Sequence, residues 1–260
     1  MKKCAAFIFS LVLITLLACG GQTRKGVSNE DTTVEDGVSI TPLEIHQVHK
    51  LDEQGSGSPA LTIDISLSLI ETGDEEATDN INQAIAYTLF ESESSDLTAA
   101  CDTFIANCRN EYMEMRSDYI DSREDAPWFN NSYNITCEVE SGHRGIINYI
   151  IFNEAYTGGA HPNSYYTALN FDKATGKEIV LQDIFKDDYE TRLTQELVVA
   201  LAAHFKVEPV TEVVVRGYLI NDLVGKEKIT FIYNRYDIAP YAAGEIMLDI
   251  DYNRIKDILK

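Results

Sequence analysis

The 260-residue chain has 42 Asp and Glu residues against 21 Lys and Arg, which gives a formal net charge of −21. A surface this acidic repels phosphate backbones and disfavours nucleic acid as a partner. Cationic partners or divalent ions fit the charge better, although solubility alone also explains it. A hydrophobic content of 45% provides for a packed core, and the length favours one large domain or two closely packed subdomains.

The N-terminus has the layout of a secretory signal, because Lys2 and Lys3 precede an apolar stretch over residues 5–18. That stretch is shorter than the roughly 20 residues needed to cross a bilayer. Its end, Leu-Leu-Ala-Cys followed by Gly20, resembles the lipobox of bacterial lipoproteins. We expect residues 1–18 to be removed and Cys19 to carry acyl chains. These chains would hold the protein on the outer membrane or on the outer face of the cytoplasmic membrane.

Polar composition over residues 19–38 predicts a flexible stalk, with ordered structure beginning near Ile40. Apolar and polar residues alternate over 61–69, which predicts a strand with one buried face. This strand and residues 43–48 would form a hairpin around Gly55-Ser56-Gly57. Helical spacing then predicts one helix that starts at Thr78 or Asp79 and a long second helix over 97–119, before Pro127.

Strands are predicted next over 133–139, 146–152 and 165–171, with a turn at 172–177 and a short strand toward Phe185. The chain is completed by a helix over 193–205, strands at 229–233 and 246–250, and a terminal helix that contains Ile255, Ile258 and Leu259. Strand pairs and helix pairs follow each other in blocks without regular βαβ repetition. The prediction is therefore an α+β fold with mainly antiparallel sheets packed with helices.

Three cysteines besides Cys19 would survive export. Cys101 and Cys108 lie seven residues apart on the predicted long helix, about 10.5 Å along its axis, which is too far for a mutual disulfide. A disulfide would instead join Cys137 to Cys101 or to Cys108. Three free thiols remain an equal alternative.

No sequence motif of an established catalytic site is present, so no catalytic residue, metal site or cofactor is predicted. Two loops are unusual. In residues 156–163, paired glycines permit positive φ angles, and Pro162 restrains His161, which we interpret as structural rather than catalytic. Residues 233–244 are rich in tyrosines and small residues. The candidate ligand-binding residues are Tyr156, Gly158, Gly159, His161, Tyr236, Pro240 and Tyr241.

The Tyr-x-Gly-Gly-Ala-His stretch at 156–161, the Asn-Phe-Asp hairpin at 170–172 and the loop at 236–244 together resemble a known extracellular module. The anti-sigma factor RsiV and the N-terminal part of the peptidoglycan deacetylase PdaC share it. The resemblance covers residues 40–260. It implies two interlocked α+β parts outside the cytoplasmic membrane, a PdaC-like part over 39–155 and an RsiV-like part over 156–260.

RsiV binds lysozyme through this module, so the resemblance implies a binding protein. This sequence shows no sigma-binding segment and no deacetylase domain, and neither activity is expected. We expect an envelope-anchored binding lipoprotein for a lysozyme-like cationic protein or for cell-wall glycan such as peptidoglycan. The alternative is a hydrolase of cell-wall or host polysaccharide that uses His161 and nearby acids. A deep pocket joining His161 to a carboxylate would favour the hydrolase, and a shallow loop-lined surface would favour binding.

Overall fold

The computed structural model describes residues 24–27, 32–35, 37–122, 127–143, 145–207, 219–221 and 228–260. A seven-stranded sheet organises the first half of the chain. Its order is β1-β3-β4-β5-β6-β7, and β2 also pairs with β3. The strands are β1 (Arg24–Val27), β2 (Thr33–Glu35), β3 (Val38–Lys50), β4 (Ala60–Glu71), β5 (Asn131–His143), β6 (Ile146–Tyr156) and β7 (Asn163–Asp172).

The predicted hairpin is confirmed, because β3 and β4 pair antiparallel from Ser39↔Glu71 to Lys50↔Ala60. Alternate residues of β4 are buried, and these are Leu61, Ile63, Ile65 and Leu67. Between β4 and β5 the chain passes through helices α1 (Glu75–Phe90), α2 (Leu97–Glu114) and α3 (Arg116–Ser122). It returns so that β4 and β5 are parallel, and the other pairs of this sheet are antiparallel.

A buried tyrosine completes the hydrogen bonding where the parallel pair ends. The β4–β5 pairing stops at Ser66↔Thr136. Beyond it, the Tyr149 hydroxyl from β6 accepts a hydrogen bond from Ser68 N and donates one to Ser68 O, both at 3.1 Å. Burial raises the pKa of Tyr149 well above its ordinary value, which keeps the hydroxyl protonated.

The first helix begins earlier than predicted. The carboxylate of Asp74 accepts a hydrogen bond from Ala77 N at 2.9 Å and so caps the N-terminus of α1. The prediction of a start at Thr78 or Asp79 was wrong. The side chain of Thr78 does not cap the helix, because its Oγ1 accepts a hydrogen bond from Thr72 N.

The predicted long second helix is divided in two. Asp96 caps α2 through Ala99 N, as expected for a helix that starts at Leu97. The helix ends at Glu114, and α3 starts at Arg116. At the break, Met115 N bonds to Tyr112 O in a tight turn, and Arg116 Nε donates to Leu51 O at 2.9 Å. The spacing of apolar residues predicted one helix, because such a pattern does not report a hydrogen bond to a residue far away in sequence.

The strands predicted in the middle of the chain are confirmed as β5, β6 and β7, each somewhat longer than expected. After β7 the chain turns tightly over residues 172–177, where Gly176 has φ +66°. A Cβ atom at Gly176 would lie only 2.2 Å from Ala77 O of α1. The turn therefore packs directly against the first helix, which only glycine permits.

The second half of the chain builds a smaller three-stranded sheet, in the order β10-β9-β8. Its predicted strands and its main helix are confirmed, whereas the strand predicted toward Phe185 is the short helix α4. The terminal helix ends at Ile255, earlier than expected. The elements are α4 (Leu181–Ile184), α5 (Tyr189–Phe205), β8 (Leu219–Asn221), β9 (Lys228–Tyr233), β10 (Ile246–Asp251) and α6 (Tyr252–Ile255).

Two hydrophobic clusters form the core, one between the larger sheet and α1 and α2, the other between α5 and the smaller sheet. The predicted α+β class with mainly antiparallel sheets is confirmed. The predicted boundary between 155 and 156 stays a prediction. In the structure, β6 and β7 pair across it, from Ile146↔Asp172 to Ala155↔Asn163.

Within the predicted stalk, β1 and β2 both pair with β3, so strand structure begins before Ile40. The predicted signal at 1–18 and the predicted lipidation at Cys19 lie outside the described residues. In the part of the chain that the structure covers, none of the helices combines the length and apolarity that a membrane span requires.

Cys101 and Cys108 are buried on α2, Cys137 is half-buried on β5, and none of these three described cysteines takes part in a disulfide. The predicted link from Cys137 to Cys101 or Cys108 is therefore not formed in the structure. Cys137 Sγ instead donates to Ser68 Oγ at 3.5 Å. Burial raises the pKa of Cys137, and it raises the pKa of Cys108 to about 11, which keeps these thiols protonated and slow to oxidise.

Candidate functional site

The two unusual loops of the sequence meet in space. Residues 157–162 connect β6 to β7, and residues 234–245 connect β9 to β10. The rings of His161 and Tyr241 stack with their centroids 4.1 Å apart and an interplanar angle of 25°. Tyr236 lies against the same tyrosine, at 5.7 Å and 40°. We call His161, Tyr236, Tyr241 and Arg235 the two-loop surface.

The first loop is shaped by its glycines. Gly158 and Gly159 have φ angles of +100° and +103°, which L side chains rarely adopt. Tyr156 Oη donates to Gly159 O at 3.0 Å across the turn. His161 is exposed, and its Nδ1 lies 3.0 Å from Pro162 O, so the tautomer protonated at Nδ1 donates to this carbonyl.

The second loop is held to the edge strand of the larger sheet. The side-chain amide of Asn234 imitates a neighbouring strand, because its Oδ1 accepts from Tyr166 N at 2.7 Å and its Nδ2 donates to Tyr166 O at 2.9 Å. Asp237 accepts from Asn234 N at 2.9 Å and closes the turn. The two halves of the fold are thus joined directly beside the two-loop surface.

Charged side chains support the stack from within the loops. Arg235 Nε pairs with Glu245 Oε1 at 2.9 Å, and Arg235 Cζ lies 4.5 Å from the centroid of the Tyr241 ring. Ser164 Oγ donates to the same carboxylate oxygen at 3.1 Å. The guanidinium is therefore fixed by an ion pair and by a cation–π contact.

Tyr236 combines exposure with backbone strain. Its side chain is 66% exposed, and its φ of +69° places it in the left-handed region. This conformation costs a non-glycine residue about 1–2 kcal/mol. Strained residues of this kind concentrate at ligand-contacting sites, where the surrounding structure maintains them. Two features of Tyr236 are therefore unfavourable, namely the exposure of its apolar ring to solvent and its left-handed backbone conformation.

The seven predicted binding residues all lie on these two loops or at their ends. His161, Tyr236 and Tyr241 form the stack, and Tyr156, Gly158 and Gly159 shape the first loop. Pro240 starts the 3-10 turn Tyr241–Ala243. Their role in binding stays a prediction.

Sequence reasoning missed Arg235, Glu245 and Trp128. Trp128 is the single tryptophan of the chain and is 51% exposed. A Cβ added at Gly158 would lie 3.4 Å from the Cβ of Trp128, so the tryptophan packs beside the first loop. The sequence offered two signals for Trp128, namely that it is the single tryptophan of the chain and that Pro127 precedes it.

The hydrolase alternative required a carboxylate beside His161. Across the described ranges, no acidic side chain lies within ion-pair distance of this imidazole. The contacts of His161 are the Pro162 carbonyl and the Tyr241 ring. Within the same residues, no three His, Cys, Asp or Glu side chains are grouped to hold a metal ion. The stacked rings thus lie on an exposed surface formed by loops.

Comparison with known proteins finds a family model that matches part of the second half of the chain. Residues 182–253 match the family described as "Protein of unknown function (DUF3298)". This segment is similar to a DUF3298 domain. The match begins in α4 and ends in α6, so the loop bearing Arg235, Tyr236 and Tyr241 belongs to it, and the loop bearing His161 precedes it.

Solved structures of DUF3298 proteins share the fold. A member from Bacteroides fragilis is 24% identical, with a TM-score of 0.72, over 88% of this chain and 96% of that one. A member from Pseudomonas aeruginosa is 20% identical, with a TM-score of 0.56, over 85% of this chain and 94% of that one. No curated protein is similar enough to count as a match. The segment matched by the family model is thus part of a larger α+β fold that this chain shares with both structures.

Proposed function

We propose that this chain is a binding protein of the cell envelope and that the two-loop surface contacts its partner. The observation that carries the proposal is the stack of His161, Tyr241 and Tyr236, contributed by loops about 75 residues apart in sequence. An exposed Tyr in a left-handed conformation is maintained at a cost, which favours a role in recognition. The envelope location rests on the predicted lipid anchor at Cys19.

The partner we propose is a cationic wall-active protein of the lysozyme class. Tyr, Trp and Arg dominate the hot spots of protein interfaces, and the two-loop surface and its neighbour Trp128 supply all three. The net charge of −21 would steer a basic protein toward the chain. The resemblance to the RsiV and PdaC module points to the same class of partner.

Cell-wall glycan is the second candidate ligand. The exposed ring of Tyr236 presents an apolar face with a polar tip, which suits the apolar faces of sugars as well as protein side chains. Glycan binding would be insensitive to salt, because peptidoglycan sugars would meet the ring without charge attraction. Salt dependence therefore separates the two ligands.

The test measures binding of lysozyme and of soluble peptidoglycan fragments to the chain from residue 20 onward, by calorimetry at several salt concentrations. The variants are Tyr236→Gly and Tyr241→Ala. Tyr236→Gly relieves the left-handed strain, so it should fold at least as stably as the parent and still bind lysozyme more weakly by more than about 1 kcal/mol. A stability loss cannot then explain the loss of binding.

Two controls complete the experiment. Tyr87→Ala removes a tyrosine of similar exposure from α1, outside the two-loop surface, and should leave affinity unchanged. An unrelated protein of matched basic charge reports general attraction, which fades as the Debye length falls from about 10 Å at 0.1 M salt to about 3 Å at 1 M. Equal binding of lysozyme and this control protein, lost together at high salt, would overturn the proposal.

A further inference from the structure

A groove separate from the two-loop surface lies between the two halves of the fold. Its volume is about 790 Å³, and it runs between the turn that follows β7 and the C-terminal segment around α6. Small-molecule sites typically measure about 300–1,000 Å³ and often lie where two structural units meet. None of the residues that line the groove belongs to the two-loop surface.

Backbone contacts hold both walls of the groove in place. On one side, Asn80 Nδ2 of α1 donates to Thr175 O at 3.0 Å, and Gly176 packs against the α1 backbone. On the other side, Lys260 N donates to Ile184 O at 2.9 Å and Lys186 N donates to Ile258 O at 2.8 Å. The groove is therefore preformed, and a ligand would not have to order its walls.

The lining combines apolar walls with unpaired charges of both signs. Ile146, Ile179, Ile184 and Leu259 supply the apolar surface. Among the described residues, the side chains of Lys177, Glu178 and Lys256 form no hydrogen bond or ion pair. By contrast, two acids of the groove are already engaged within the fold, namely Asp172 with Thr175 and Asp183 with Val180 N.

The charges of the groove differ from those of the whole chain. The chain has twice as many acids as bases, yet the groove has three of each, Lys177, Lys256 and Lys260 against Asp172, Glu178 and Asp183. Partial desolvation of the Glu178 carboxyl raises its pKa. A ligand ammonium would compensate this carboxylate, and a ligand carboxylate would pair with the free lysines.

We propose that this groove binds a short peptide with a free amino terminus and a free carboxylate, seated by an aliphatic side chain on the isoleucines. Lys177 and Lys256 bind the carboxylate, and Glu178 binds the ammonium group. Each of these would be a charge-assisted hydrogen bond, the stronger class of such bonds. The groove is independent of the surface proposed above for the protein partner, so either proposal can fail without the other.

The test uses the tripeptide Ala-Leu-Ala in four forms, with both ends free, with the amino end acetylated, with the carboxyl end amidated, and with both ends blocked. The protein used is the chain without its predicted signal, residues 1–18. NMR titration with each peptide follows the methyl groups of Ile146, Ile179 and Ile184. We expect the free form to bind most tightly. Acetylation removes the bond to Glu178 and should weaken binding about tenfold, and amidation removes the bonds to both lysines and should weaken binding at least about tenfold.

Substitutions assign each end to its residues. Lys177→Met with Lys256→Met should weaken the free tripeptide about tenfold and leave the amidated form unaffected, because that form has no carboxylate to lose. Glu178→Gln should weaken binding of the peptide forms that have a free amino end about tenfold, and should leave the acetylated forms unaffected. Lys50→Met, at the end of β3, is the matched control. Equal affinity for all four forms, or no methyl shift with any form, would overturn the proposal.

Discussion

The hydroxyl of Tyr149 replaces a missing strand partner for Ser68, in the buried interior of the larger sheet. Tyr149→Phe keeps the ring but leaves Ser68 N–H and C=O without this partner. We expect a loss of about 1–3 kcal/mol in the free energy of unfolding, because the two backbone groups stay partly buried without a partner. Urea denaturation measures it. Tyr87→Phe, at an exposed position, should change stability by less than about 0.5 kcal/mol, and equal losses in both variants would contradict the bridging role.

Gly176 is required for two separable reasons, its positive φ and its close approach to α1. Gly57 has a similar φ of +77°, but nothing lies within 4 Å of a Cβ added there, whereas at Gly176 Ala77 O lies 2.2 Å away. Gly57→Ala should therefore cost about 1–2 kcal/mol for backbone strain alone. Gly176→Ala should cost a further ~1–3 kcal/mol for overpacking. Thermal unfolding compares the two, and equal costs would exclude the packing contact.

At the scale of elements, Asn234 joins the loop after β9 to the edge strand β7. Asn234→Ala removes both side-chain bonds to Tyr166 and should lower the free energy of unfolding by about 1–3 kcal/mol. It should also speed amide hydrogen exchange at Tyr166, since an unpaired edge amide is open to water. Asn134→Ala, in β5, should leave exchange at Tyr166 unchanged. Unaltered exchange at Tyr166 in Asn234→Ala would show that the loop is held by other contacts.

The type of an element is set by local sequence, whereas the residue at which it ends can depend on contacts with distant parts of the chain. The spacing of Leu193, Leu197 and Leu201 predicted α5, because a helical stripe is a local property of the sequence. The break at Met115 was missed, since it depends on the bond from Arg116 to Leu51, 65 residues away in sequence. The parallel pairing of β4 with β5 was likewise decided by how three intervening helices return the chain.

For the whole molecule, buried tyrosines predict sensitivity to alkali. Burial raises the pKa of Tyr133 to about 12 and raises the pKa values of Tyr112, Tyr149 and Tyr233. In the unfolded chain these groups titrate at about pH 10, so their contribution to stability is complete below that pH and is lost as pH rises toward the folded pKa. The urea unfolding free energy should fall above about pH 10. A constant value up to about pH 12 would contradict this.

The predicted lipid anchor is tested on the whole precursor. Cys19→Ser should abolish labelling by a fatty-acid analogue and release the protein from membranes, because the modified thiol is lost. Cys4→Ser is the matched control and should be labelled normally, since Cys4 lies in the predicted signal. Labelling of the Cys19→Ser protein would refute the lipoprotein interpretation.

The sequence alone determined the elements with strong periodicity and the two loops that merit attention. Alternation over 61–69 specified β4, and the paired glycines with His161 marked the first loop. Only the tertiary structure decided that His161 stacks on Tyr241, that Asn234 pairs with Tyr166, and that a groove opens beside α6. The reason is physical: periodicity reports the burial of one face of a local element. Contacts between residues 80 apart depend on chain return and packing, which no local pattern encodes.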